Sequence, residues 1–178
     1  MKIKTEEIYF DILKEKKIKL FIKRIDQINE CISGNKWYKL KYNMIEARRQ
    51  NAKSILTFGG AYSNNISATA FLARNQGFRS IGIIRGEEHL PLNPTLKYAR
   101  KNGMELHYVS RKEYNLKSSV KFLTNLIDKL GKFYLIPEGG TNRLAIKGCE
   151  EILDVNDKQD WICCSVGTGG TIAGIINS

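Results

Sequence analysis

The stretch Ser54-Ile55-Leu56-Thr57-Phe58-Gly59-Gly60-Ala61-Tyr62-Ser63-Asn64-Asn65-Ile66 decides the fold. Residues 54–58 have the apolar, β-rich character of a short buried strand, and two glycines then turn the chain. The polar trio Ser63, Asn64 and Asn65 opens a helical run that stops near Gly77. Strand, loop and helix in that order make one βα unit. The unit repeats downstream. Residues 81–85 read as a strand, and Asn93-Pro94 opens a helix that Asn102-Gly103 closes, with a cap residue first, proline in the first turn and glycine at the end. Residues 106–109 read as a third strand. Leu116, Val120, Leu123, Ile127 and Leu130 then mark an amphipathic helix ended by Gly131, ahead of a strand at 133–136. A run of βα units from Trp37 to Gly140 implies an α/β fold: a parallel sheet with flanking helices.

Outside this block the signals continue. Trp37, Leu40, Met44 and Ile45 predict one face of a helix beginning just after Lys36, and residues 20–24 are strand-like. On the C-terminal side, 142–155 reads as a helix and 161–166 as a strand leading into Gly167-Thr168-Gly169-Gly170-Thr171, after which another helix begins. That last helix is apolar and has no terminating signal, so the chain is expected to be a fragment.

Composition bounds the function classes. With 178 residues and 42% hydrophobic content, the chain is long enough for a core, and it carries no apolar run of transmembrane length. Met1-Lys2-Ile3-Lys4-Thr5-Glu6-Glu7 lacks the apolar region of a secretory leader, so the expected compartment is the cytoplasm, with no membrane partner. Cys31, Cys149, Cys163 and Cys164 have neither metal-ligand spacing nor a disulfide framework, and no metal site is expected. The net charge of +11 raises nucleic acid as a partner. Its one dense cluster, Lys14-Glu15-Lys16-Lys17-Ile18-Lys19, is broken by a glutamate and has no interleaved aromatics, which fits a solvated surface and no nucleic-acid partner.

Three features carry chemistry. The loop Val166-Gly167-Thr168-Gly169-Gly170-Thr171 departs from the dinucleotide fingerprint, having Ile172 where the third glycine belongs, and it lacks the Lys-Ser/Thr pair of a Walker loop. It offers several N–H groups and two hydroxyls, a set suited to one phosphate monoester; the plain alternative is a tight βα turn. Ser63, Asn64 and Asn65 repeat the logic at the first unit, where the functional reading is a carboxylate site and the plain one an N-cap. Lys36 follows Gly34-Asn35 at a helix mouth, with Lys39 one turn on, and a neighbouring cation lowers an amine's pKa as a Schiff-base lysine requires. His89 and His107 read as loop and strand residues.

Four motifs in order, Gly34-Asn35-Lys36 with Lys39-Leu40, Gly59-Gly60-Ala61-Tyr62-Ser63-Asn64, Ile136-Pro137-Glu138-Gly139-Gly140-Thr141-Asn142 and Ser165-Val166-Gly167-Thr168-Gly169-Gly170-Thr171, resemble the 1-aminocyclopropane-1-carboxylate deaminase and D-cysteine desulfhydrase family. The resemblance implies a tryptophan synthase β-like (fold type II) architecture, with a smaller domain at 43–138 inserted into a larger cofactor-binding one, present only in part as 1–42 and 139–178. It implies pyridoxal 5'-phosphate, carried on Lys36, contacted by Asn64 at its phenolic oxygen and held at the phosphate by Val166, Gly167, Thr168, Gly169, Gly170 and Thr171. Ser63, Asn64 and Asn65 would meet a small amino-acid substrate, with Lys36 or Ser63 shuttling the proton. D-cysteine would yield pyruvate, ammonia and sulfide, and 1-aminocyclopropane-1-carboxylate would yield 2-oxobutanoate and ammonia. A homodimer is expected of the full-length form.

This chain departs from the family pattern in places. Trp37-Tyr38 stand where an arginine usually precedes the second lysine, Asn65 replaces the common Gln or His, and the region that faces the pyridine nitrogen is missing. Two alternatives stay open. Another enzyme of the fold, such as a cysteine synthase or threonine dehydratase, would carry a Ser-Gly-Asn-type loop in place of Ser63-Asn64. The other is an inactive remnant or basic binding module.

Overall fold

The computed structural model describes residues 3–32 and 34–178. Ser33, which opens the lysine motif, and Met1 and Lys2, part of the stretch read for a leader, lie outside the described residues. The chain begins with a two-stranded antiparallel ribbon, β1 (Thr5–Ile8) and β2 (Leu20–Lys23), joined through α1 (Asp11–Glu15), with Thr5 opposite Lys23. Then follow α2 (Asn35–Arg49), β3 (Ser54–Gly59), α3 (Asn64–Gln76), β4 (Arg79–Arg85), α4 (Pro94–Lys101), β5 (Met104–Val109), α5 (Arg111–Tyr114), α6 (Val120–Leu130), β6 (Tyr134–Ile136), α7 (Arg143–Cys149) and α8 (Gly170–Ile176).

Four strands form one sheet in the order β5-β4-β3-β6, every pairing parallel, as the repeated βα units require. All six residues of the central strand β3 are buried, because helices cover both faces. On one face Ile55 and Ile136 pack with Leu40, Met44 and Ala47 of α2 and Ala68, Leu72 and Ala73 of α3. On the other, Leu56, Phe58, Ile81 and Ile83 pack with Tyr114 and with Leu126 of α6. Each fully buried isoleucine or leucine contributes about 1.5–3 kcal/mol. Gly77, in the left-handed region at φ 76°, ends α3 at the expected place.

Several expectations need correction. Ile45 is 58% exposed; it lies about 100° around the helix from Met44 and so leaves the apolar face. The helix expected from Leu116 to Leu130 begins only at Val120, as α6, and the short helix α5 stands before it. Ser110 and Glu113 form a capping box that starts α5, and Ser119 caps α6 by accepting from the Phe122 N–H, so Leu116 falls in the turn between them. The helix expected at 142–155 ends at Cys149. Glu151 and Ile152 donate to carbonyls three residues back, and the Asp154 and Asp157 carboxylates then take the N–H groups of Asn156 and Asp154 into local turns. The strand expected at 161–166 has no strand assignment, and Trp161 is 89% exposed. A strand is stabilised by its neighbours, and among the described residues none lies beside this one.

What brings distant parts of the chain to one place is α7, wedged between α2 and α8. A Cβ on Gly148 would strike the carbonyl of Tyr38 on α2, and one on Gly174 would strike Cys149 on α7, so both glycines let backbones approach closely. A buried amide network adds direction. Asn43 Nδ2 donates to the Lys39 carbonyl at 2.8 Å, and Asn142 Nδ2 and the Tyr134 hydroxyl donate to Asn43 Oδ1 at 2.7 and 3.1 Å. Asn142 in turn caps α7 through the Ala145 N–H, so one network links α2, α7 and β6.

Candidate active site

A cavity of about 250 Å³ opens where these helices meet, lined by Lys36 and Lys39, by Gly139 and by the loop from Ser165 to Gly169. The two lysines are one turn apart on α2 and turn the same way. α2 begins at Asn35, two residues before the expected start, so Lys36 sits inside the first turn, with Gly34 as N-cap at φ 62°. Its amine is held down to a pKa of about 8, first by burial and second by the Lys39 charge. Sequence reasoning had named only the neighbouring cation; burial is the larger cause. The positive end of a helix dipole acts on Lys36 in the same direction.

Lys39 is 2% exposed and burial lowers its pKa as well. Its ammonium donates to Thr141 Oγ1 at 2.9 Å, Thr168 Oγ1 at 3.2 Å and the Gly139 carbonyl at 3.3 Å. Three neutral oxygens thus satisfy its donors and none neutralises its charge. Thr168 belongs to the glycine loop and Thr141 to the turn after β6, so Lys39 ties both to α2. Gly139 can stand here only without a side chain: its φ is 67°, and a Cβ would come within 2.8 Å of Thr168 Cγ2. Glu138 anchors that turn from outside, accepting from the buried Tyr114 hydroxyl at 2.9 Å and pairing with Lys117 at 3.2 Å.

Of the residues expected at the site, Lys36, Val166, Gly167, Thr168, Gly169 and Thr171 line this one cavity. Gly170 lies just behind it, where a Cβ would be 3.3 Å from Lys39 Nζ. Ser63, Asn64 and Asn65 are not among the lining residues. Ser63 caps α3 through the Ile66 N–H at 3.4 Å, and Asn64 is exposed with its side chain open to solvent. Asn65 is 1% exposed and donates to Thr57 Oγ1 at 2.7 Å; its Oδ1 lies under Gly140 and is without a hydrogen-bond partner. The turn 138–140 therefore touches the serine loop on one side and the cavity on the other.

No family model matches the chain. Individual proteins do. A Thermotoga maritima protein, provisionally named 1-aminocyclopropane-1-carboxylate deaminase, is 36% identical over 164 residues, covering 88% of this chain and 52% of its own length. The bifunctional D-cysteine desulfhydrase/1-aminocyclopropane-1-carboxylate deaminase of Arabidopsis thaliana is 36% identical over 175 residues, covering 88% of this chain and 44% of its own length. This chain is similar to that family over most of its own length. It spans about half the length of the curated relatives it matches. The crystal structure of a 1-aminocyclopropane-1-carboxylate deaminase homologue superposes with a TM-score of 0.82 at 24% identity, over 98% of this chain and 55% of the other, so the family fold, of type II, is present here.

Sequence reasoning missed three positions that hold the site together. Lys39 was read only as a neighbour that lowers a pKa, although it is the buried cation joining two loops. Asn43 and Thr141 were not singled out as site residues. Asn43 lies one helical turn beyond Lys39, and a polar residue on the apolar face of a helix was the signal available.

Proposed function

We propose that the site holds pyridoxal 5'-phosphate and that the whole protein deaminates a small amino acid. The observation that carries this reading is the cavity itself, which places an amine of pKa about 8 beside a loop of N–H and hydroxyl donors and a second, unneutralised ammonium. The donor set fits the group. Lys36 matches the aldehyde carbon, being half neutral near pH 8. Gly167, Thr168, Gly169, Gly170 and Thr171, with Val166 at the edge, match a phosphate, and Lys39 adds a positive charge on that side. A Cβ on Gly167 or Gly169 would meet nothing within 4 Å, so the loop leaves room for a ligand.

The cofactor, when bound, supplies an electron sink for the bond broken at the substrate's α carbon. The chain's part is position and proton transfer. The Lys36 amine would take or return a proton at the substrate's α carbon. Asn64, whose side chain is exposed, would hold the cofactor at its phenolic oxygen. Ser63 and the N–H groups that open α3 receive the substrate carboxylate, and Ser63 is the second candidate for the proton. Asn65 braces the loop from beneath, through Thr57 and against Gly140, and so shapes the substrate side.

We assign residues 43–138, which contain the whole parallel sheet, to the smaller domain, and 1–42 with 139–178 to the larger one. D-cysteine, giving pyruvate, ammonia and sulfide, is favoured over 1-aminocyclopropane-1-carboxylate, giving 2-oxobutanoate and ammonia, because ring opening makes the greater demand on residues outside this chain. A homodimer is proposed for the whole protein. The test is borohydride reduction of the protein with pyridoxal phosphate, followed by peptide mapping. The pyridoxyl group is expected on Lys36; its appearance on Lys39 or Lys41 instead overturns the assignment.

A further inference from the structure

The chemistry proposed above makes no use of one hydrogen bond that bridges the cavity. Asn35 Nδ2 donates to Thr171 Oγ1 at 2.7 Å. Asn35 is the first residue of α2 and the neighbour of Lys36, whereas Thr171 closes the glycine loop 136 residues away. Both line the cavity, and Thr171 is 9% exposed. α2 and α8 meet each other mostly through α7, and this bond is a direct tie between their cavity ends.

We infer that Asn35 is a positioning residue that sets the span between the Lys36 amine and the loop that receives a phosphate. The inference rests on the reading of the site given above. A ligand engaged at two points gains only if the points are held at the ligand's own length, since the second contact is then made with little further loss of freedom. Asn35 does this from one residue away: the amide fixes where α2 begins relative to Thr171, and so where the Lys36 side chain starts. The direction of the bond also matters. Because the amide donates, the Thr171 hydroxyl keeps its own hydrogen, which can serve a ligand. An aspartate at position 35 would consume that hydrogen and place a negative charge beside Lys36.

The experiment compares pyridoxal phosphate with pyridoxal, which has the aldehyde and no phosphate, by the absorbance of the adduct on Lys36. Asn35→Ala should weaken pyridoxal phosphate about three- to tenfold, the range expected for one hydrogen bond, and leave pyridoxal within about twofold. Asn35→Asp should move adduct formation to higher pH. A double variant, Asn35→Ala with Thr171→Val, should bind no more weakly than Thr171→Val alone, because the two residues share one bond. A loss of general stability would lower both aldehydes together. If Asn35→Ala does not fold, Asn35→Ser, well suited to a helix start, gives the same comparison. An unchanged ratio of the two affinities, or losses that add in the double variant, overturns the positioning role. A wild-type protein with no preference for pyridoxal phosphate over pyridoxal overturns instead the phosphate reading on which it rests.

Discussion

Gly148 of α7 lies against the main-chain carbonyl of Tyr38 on α2, with no room between them for a methyl group. The contact sets how far α7 stands from the helix that carries Lys36 and Lys39. Gly148→Ala must push the two helices apart or strain both, and it is expected to cost about 1–3 kcal/mol, the usual range for overpacking. A thermal melt checks this, with Gly167→Ala as the control, since a Cβ there meets open space. Equal melting temperatures for the two variants would show that the helices yield freely.

Lys36 makes stability depend on pH in a defined window. Its folded pKa of about 8 lies below the ordinary value of 10.5. Below about pH 8 the amine is charged in both states and the folded state carries the whole burial penalty. Between about 8 and 10.5 the folded amine has lost its proton while the unfolded one still holds it, so stability rises; above 10.5 the penalty is gone. Lys36→Met is therefore expected to be more stable than wild type at pH 7 by about 2 kcal/mol, allowing for the partial exposure of the side chain, and to lose that advantage by about pH 10.5. Denaturant titrations at both pH values measure the difference. A methionine advantage that does not change with pH would mean that packing, and not charge, sets it.

The glycine loop can be tested without straining it. Gly169 has φ 80°, so any side chain there confounds charge with backbone strain, whereas Gly167 has ordinary φ and open space around its Cα. Gly167→Asp puts a carboxylate where an anion is proposed to bind. It should weaken pyridoxal phosphate at least tenfold, as expected of like charges a few ångströms apart near a protein surface, and leave unphosphorylated pyridoxal almost unaffected. Retained affinity for the phosphate ester would remove the loop from the site.

Tyr114 is 1% exposed, and its hydroxyl meets the Glu138 carboxylate, which with burial pushes the phenol well above its usual range. Tyr114→Phe keeps the ring packed on Phe58 and removes only this bond. The expected cost is about 1–2 kcal/mol, with Lys117 still holding Glu138. A loss no larger than that of a surface substitution would show that Lys117 alone anchors the turn.

The parallel sheet was legible because its signals are local. The buried character of β3, the Asn93-Pro94 start of α4 and the glycine that ends α3 act within a few residues of themselves, so the chain announces them without knowing its neighbours. The 161–166 segment failed for the opposite reason: its apolar run is necessary for a strand, but the bonds that make a strand belong to whatever lies beside it. The same division runs through the site. Lys36 and the glycine loop stand out as residue types at particular spacings, and the motif order led to the family. The sequence alone determined which groups could do the chemistry.

Only the tertiary structure decided what those groups experience. The pKa of Lys36 follows mainly from burial, which no residue on its own helix reveals, and Lys39 became the cation between two loops because Thr141 and Thr168 arrive from 102 and 129 residues away. The Asn35–Thr171 bond closes a still larger gap of 136 residues. Desolvation and hydrogen-bond partners are properties of a place in space, and that place exists only once Gly148 and Gly174 have let three helices come together.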